Sequence, residues 1–232
     1  MAPRPIFIHG AGGGVAGWQH QEPRFEGCCV LALPGHPTGV ALQSVGAYAE
    51  WTAHAVQEIP GPRVLVGHSM GGAIALQLAL DHPDLVDGLV LIASGPRLFV
   101  PDSAFELARS DLVAESERLL RKGWANADDA TVADEVASMV ENGQETLLRD
   151  YTACRSFDVT DRLSDVRAPA LIIAGADDHL APPPLSRELS HGLHNAIPVV
   201  VPGAGHWVMK ERPATVDLLI AGFLARLGLG GE

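Results

Sequence analysis

The sequence predicts an α/β protein: a doubly wound, mostly parallel sheet of about six strands with a helical cap insertion. Three observations carry this. Six short runs are continuously apolar and β-branched rather than alternating, as strands buried on both faces are. Helical patterns lie between them, as crossovers between parallel strands require. The regular spacing breaks once, between Ala93 and Pro169, where far more chain than a single helix needs separates two strands.

In chain order the strands are PIFIH (5–9), CVLAL (29–33), RVLVG (63–67), GLVLIA (88–93), ALIIAG (170–175) and IPVVVP (197–202). Helical periodicity marks 45–59, 70–80 and 213–227, the last with Val216, Leu219, Ile220, Phe223 and Leu227 on one stripe. The long gap reads as three further helices, 103–122, 128–141 and 145–157, which carry Phe105, Leu112, Leu119, Trp124, Met139 and Tyr151 among many charges. Residues 1–94 and 167–232 thus form a core, and 95–166 an inserted cap. There is no repeat, low-complexity tract or Gly/Ser linker to mark an independent second domain.

Length and composition agree with one soluble domain. The 232 residues can bury a sheet on both faces without disulfides or metal, and 47% hydrophobic with 19% charged residues suits a globular chain. No apolar run is long enough to span a bilayer. The N-terminus has neither the apolar stretch nor the cleavage site of an export signal, and Cys28, Cys29 and Cys154 suggest no disulfide framework, so a cytoplasmic location is expected. A formal charge of -12 with no basic cluster disfavours nucleic acid and anionic lipid as partners, leaving a small molecule.

The chemistry concentrates at strand ends. Gly67-His68-Ser69-Met70-Gly71 fits G-x-S-x-G, in which small residues permit a cramped strand-to-helix turn that lifts a serine hydroxyl above the sheet. An N-cap is the bland alternative for Ser69; its place after a strand and before a helix favours a nucleophile. The Met70 N–H, at a helix N-terminus, suits charge developing on a carbonyl oxygen. A serine needs a base, and His206 in VVVPGAGHW lies in a glycine-rich loop after the last strand, on the edge where Ser69 sits. The base needs an acid. Asp177 and Asp178, just after the fifth strand, both qualify, with Asp102 a more remote candidate; chain order Ser, Asp, His is the one expected of this architecture. A second oxyanion donor is available in His9-Gly10-Ala11-Gly12, through the N–H of Ala11, with that of Gly12 as a further candidate. This loop lacks the spacing and the Lys-Ser/Thr pair of a phosphate cradle.

HGAGGG, ALPGH, VGHSMGG, LIIAGADDHLAPP and VPGAGHWVMKERP together resemble the α/β-hydrolase superfamily over nearly the whole chain outside the insertion. The resemblance implies Ser69 as nucleophile, His206 as base, Ala11 and Met70 as oxyanion donors, and Asp178 as acid, three residues after the strand-ending Gly175. It implies a helical cap over the site at 95–166. The chain begins at what resembles the family's third strand, so a six-stranded sheet without the usual first antiparallel pair is expected. Alanine precedes Leu33-Pro34-Gly35-His36 where many relatives carry an acid. A serine at the elbow, where relatives that dehalogenate or open epoxides use aspartate, argues against those two reactions.

The expected function is therefore hydrolysis of small to medium, moderately hydrophobic carboxylic esters through an acyl-enzyme, with Leu98, Phe99, Val100, Phe105 and Trp124 as apolar pocket candidates and no metal or organic cofactor required. The same triad could instead serve carbon–carbon, thioester, lactone or short-peptide hydrolysis, or perhydrolysis. A ligand-binding protein on a hydrolase scaffold is the alternative from another class.

Overall fold

Alternation along each predicted strand sends successive side chains to opposite faces of one sheet. A computed structural model of the chain describes residues 2–228. In it β1 (Arg4–Ile8), β2 (Cys29–Leu31), β3 (Arg63–His68), β4 (Gly88–Ile92), β5 (Ala170–Gly175) and β6 (Ala196–Val201) form a six-stranded sheet in the order β2-β1-β3-β4-β5-β6, with every neighbouring pair parallel. Ile6, Ile8, Leu65, Leu89, Leu91 and Ile172 bury one face against α1 (Val45–Val56), α2 (Met70–Asp81) and α7 (Pro183–Gly192). Phe7, Val64, Val66, Val90, Ile92 and Ile173 bury the other against α8 (Val208–Glu211), α9 (Pro213–Gly228) and Trp18. Two apolar faces on one sheet require helices on both sides, which is the doubly wound arrangement the spacing predicts.

Two expectations need correction. IPVVVP is not buried on both faces: β6 is an edge strand, Val200 is exposed, and Pro198 sits where a missing N–H costs the ladder least. The single helix expected over 103–122 is two, α3 (Asp102–Ser110) and α4 (Leu112–Gly123). Asp111 divides them because its backbone is extended and its carboxylate caps α4 by accepting the Ala114 N–H at 2.9 Å. The helix α7 behind Pro182 was not singled out by periodicity.

The inserted segment continues through α5 (Asp129–Asn142) and α6 (Gln144–Arg155). Ala104, Phe105, Ala108, Leu120, Val132, Met139, Leu147 and Tyr151 form a cluster of their own. The far end of α6, with Ala153, Cys154 and the following Phe157, packs into the main core instead, so α6 belongs to both bodies.

The strand order reverses between β1 and β3, since the chain runs outward from β1 to β2 and returns to β3 on β1's other side. Loops leaving the carboxyl ends of β1 and β3 therefore diverge and leave a crevice, the place where open parallel sheets collect ligands.

Candidate active site

β3 runs into Ser69, and α2 begins one residue later. That reversal demands absent side chains: a Cβ on Gly67 would stand 2.3 Å from the Gly71 carbonyl oxygen, and one on Gly71 would stand 2.2 Å from that of Ile8. Ser69 adopts φ 52° and ψ −114°, a conformation unfavourable for any residue with a Cβ. It is held there by its N–H on Ile92 O at 2.9 Å and by the Ser94 hydroxyl, which donates to Ser69 O at 2.9 Å. Although Ser69 occupies the N-cap position of α2, its hydroxyl makes no capping bond. The capping explanation for this serine fails, and the hydroxyl is left for the cavity.

Asp178 and His206 meet behind it. His206 Nδ1 lies 2.8 Å from Asp178 Oδ2, and both side chains are buried. The other carboxylate oxygen, Oδ1, accepts the N–H groups of Leu180 at 2.7 Å and Ala181 at 2.9 Å. Burial alone would raise the Asp178 pKa, but the His206 charge and hydrogen bond and the two main-chain donors outweigh it and hold the carboxyl below its usual value. An ionised Oδ2 fixes the proton on His206 Nδ1 and leaves Nε2 with a lone pair. The two aspartates, which residue chemistry without the family resemblance leaves equivalent, occupy different places: Asp177 is exposed and contributes its N–H to Ala204 O at 2.9 Å. Asp102 lies on the cap surface, paired with Arg155 at 2.7 Å.

Ser69 and His206 border one cavity of about 460 Å³. Among the described residues no hydrogen bond joins Ser69 Oγ to His206 Nε2, a contact that in hydrolases often tightens only with substrate in place. Gly10 packs on the elbow, since a Cβ there would come within 3.2 Å of Ser69 Cβ, and this brings the loop after β1 beside the serine. Within that loop Gly13 N–H closes a turn on Gly10 O at 3.1 Å. Among the described residues the N–H groups of Ala11 and Met70 donate to no protein acceptor. Gly12 is different: its N–H donates to Asp150 Oδ2 of α6 at 2.8 Å and so is already spent.

Leu98, Phe99 and Val100 line the cavity as expected, together with Leu119, Leu185 and Trp207. Phe105 and Trp124 do not. Phe105 is consumed in the cap cluster, and Trp124 stacks on Trp207 with ring centroids 6.0 Å apart, behind the wall. Among the described residues no group of three or more His, Cys, Asp or Glu side chains could hold a metal ion.

Residues 6–217 match the model of the alpha/beta hydrolase family. The chain belongs to that family. Relatives match most of its length: "Putative carbamate hydrolase RutD" of Variovorax paradoxus (strain S110) is 32% identical, covering 97% of this chain and 93% of its own. The 2-hydroxy-6-oxononadienedioate/2-hydroxy-6-oxononatrienedioate hydrolase of Burkholderia vietnamiensis (strain G4 / LMG 22486) is 27% identical, covering 95% of this chain and 86% of its own. A solved thermophilic esterase superposes with a TM-score of 0.87 at 26% identity, covering 97% of this chain and 90% of its own. As an alpha/beta hydrolase, the chain belongs to a family of hydrolytic enzymes. Among its described residues no helix is long and apolar enough to cross a membrane.

Three groups escape a reading of motifs. His68, inside the elbow, is buried and lies 3.0 Å through Nε2 from the His206 carbonyl oxygen, so a neutral ring donates to the segment that carries His206. Burial, then the His206 charge, drive its pKa well down, in keeping with that neutral form. Glu211 accepts the N–H of Gly205 and that of Ala125, each at 2.9 Å, and clasps the histidine loop to the end of α4. Asp150 lies in mid-helix. Its signal was available: with Leu147, Tyr151 and Cys154 it shares a stripe at i, i+3, i+4 and i+7, and an acid on an apolar stripe needs a buried partner.

Proposed function

We propose that this hydrolase cleaves carboxylic esters of small to medium, moderately hydrophobic substrates through an acyl-enzyme. The observation that carries the proposal is the buried Asp178–His206 pair at the cavity bordered by Ser69, a serine whose hydroxyl has no capping duty. His206 Nε2 accepts the Ser69 proton as Oγ adds to the ester carbonyl carbon. Negative charge then collects on the carbonyl oxygen, where the N–H groups of Ala11 and Met70 receive it; Met70 adds the positive end of the α2 dipole. Imidazolium, steadied by Asp178, returns the proton to the leaving alkoxide, and the ester C–O bond breaks. Water repeats the sequence on the acyl-enzyme and releases the acid.

Apolar lining by Leu98, Val100, Leu119 and Leu185 supports a moderately hydrophobic substrate. Hydrolysis of p-nitrophenyl butyrate by wild type and Ser69→Ala tests the reading, together with labelling by a fluorophosphonate. Turnover and labelling are expected only with the serine; equal turnover by both proteins would refute it. A second reading, carbamate cleavage on the same triad, is favoured by the name of the Variovorax relative. A panel of ester, carbamate and lactone substrates with product identification separates the two, because each bond leaves a different product.

A further inference from the structure

We infer that Asp150 and Asn142, both on the cap, are positioning residues that hold the loop after β1 in its oxyanion-binding shape, so that the cap builds part of the reaction site as well as covering it. The inference rests on the ester-hydrolase reading and extends it from the residues that touch substrate to those that aim them.

Gly12 is gripped at both ends of its peptide units. Its N–H donates to Asp150 Oδ2 at 2.8 Å, and its carbonyl oxygen accepts from Asn142 Nδ2 at 2.9 Å; the same Nδ2 reaches Gly13 O at 2.8 Å. Asp150 comes from α6 and Asn142 from the end of α5. Gly12 has φ +64°, and a Cβ there would stand 2.7 Å from Met139 Cε and 3.0 Å from Leu147 Cδ1, so the cap packs directly on a backbone that only glycine accommodates easily. Left alone, a glycine-rich turn samples many conformations. Two side chains on its central peptides select one, and that choice leaves the neighbouring Ala11 N–H unspent beside Ser69.

The grip has a charged foundation. Asp150 and its side chain are wholly buried. Tyr48 Oη accepts the Leu42 N–H at 3.1 Å, so its own proton goes to Asp150 Oδ1 at 2.7 Å. Oδ2 takes Gly12 N–H and His36 Nε2, the latter at 2.8 Å. The other ring nitrogen of His36, Nδ1, faces only carbonyl oxygens, Pro34 at 3.1 Å and Leu33 at 3.3 Å. Both nitrogens must donate, which makes His36 an imidazolium and Asp150 its carboxylate. His9, whose ring centroid is 4.6 Å from that of His36, is the complementary case: its Nε2 accepts the Leu33 N–H at 3.3 Å and its Nδ1 donates to Gly10 O at 3.0 Å, so it is neutral. One buried ion pair thereby ties α6 of the cap to the P-G-H turn, to α1 and to the oxyanion loop.

The test uses the full chain in three variants: Asp150→Asn, Asn142→Ala and Ser69→Ala. A trifluoromethyl ketone of the ester's acyl chain reports the oxyanion site, because Ser69 Oγ adds to its carbonyl carbon, the serine proton passes to His206 Nε2, and the adduct carries the negative oxygen. For each folded positioning variant kcat on p-nitrophenyl butyrate is expected to fall about tenfold or more and the ketone Ki to rise in step, with KM within about twofold. Amide hydrogen exchange in residues 10–14 is expected to quicken by a similar factor. Asn142 is only half-buried, so its variant decides the matter should Asp150→Asn not fold. Unchanged kcat, Ki and exchange in folded variants would overturn the inference while the serine reading stands; full turnover by Ser69→Ala would bring down both.

Discussion

At residue 178 the two carboxylate oxygens have separate partners. Oδ1 of Asp178 is pinned by two main-chain donors, Leu180 and Ala181, and only Oδ2 faces His206. In Asp178→Asn the amide oxygen must stay with those donors, which turns the NH2 group toward His206 Nδ1. That nitrogen then becomes an acceptor, the ring proton moves to Nε2, and in the proposed mechanism the serine loses its base. The expected result is a fall in kcat of about 10³–10⁴-fold with little change in KM or thermal stability, read by steady-state kinetics beside a melting curve.

Between elements, the pairing of α6 with the P-G-H turn makes stability depend on pH with a defined sign. Burial lowers the His36 pKa, but the Asp150 hydrogen bond and charge, then the Pro34 and Leu33 carbonyls, outweigh it and raise the value above 6.5. His36 is faced by His9, Asp150 and Tyr48, and burial followed by the His36 charge takes His9 down to about 4, so His9 stays neutral through this window. A group with a raised folded pKa binds its proton more tightly when folded. Its contribution is complete below pH 6.5 and is lost as pH rises through the folded value. Melting temperature is expected to decline from pH 6 toward pH 9 in wild type, and the decline to flatten in His36→Gln. Removing one partner of a buried pair costs about 3–5 kcal/mol, so the variant should also be less stable at pH 6.

At the scale of the molecule, the cavity is lined by residues of two bodies with separate apolar clusters and by part of the loop from β4 into α3. Phe99 on that loop borders the cavity yet is 82% exposed. Under the proposed ester reading, a residue so placed is expected to meet the distal part of a substrate and not the reacting carbonyl. Phe99→Ala is expected to raise KM for p-nitrophenyl esters progressively from acetate to octanoate, by several-fold at the long end, while kcat on acetate stays the same. A uniform effect across chain lengths would place Phe99 in a different role.

Much of this was written locally. Each strand's continuous apolar run, the glycines around Ser69 and the histidine loop after the last strand are features of neighbouring residues, and sequence reports neighbours faithfully. The break at Asp111 was readable on the same terms, as an N-cap signal inside a long helical pattern. What depends on atoms brought from far along the chain was not. Asp177 and Asp178 are chemically identical and adjacent; the family resemblance points to Asp178, but the physical difference between them is the packing that buries one and exposes the other. Phe105 and Trp124 look as suitable for a pocket as Leu98 and Val100, until the cap's own need for a core consumes the first and Trp207 stacks on the second. Gly12 and Ala11 offer the same N–H group, and a carboxylate 138 residues away decides which is free. The sequence by itself determined the fold class and the residue types at the strand ends, because periodicity and turn chemistry act over a few residues. The tertiary structure decided which polar groups are satisfied and which remain available, because a hydrogen bond is spent by whatever partner the fold brings within 3 Å or so of it.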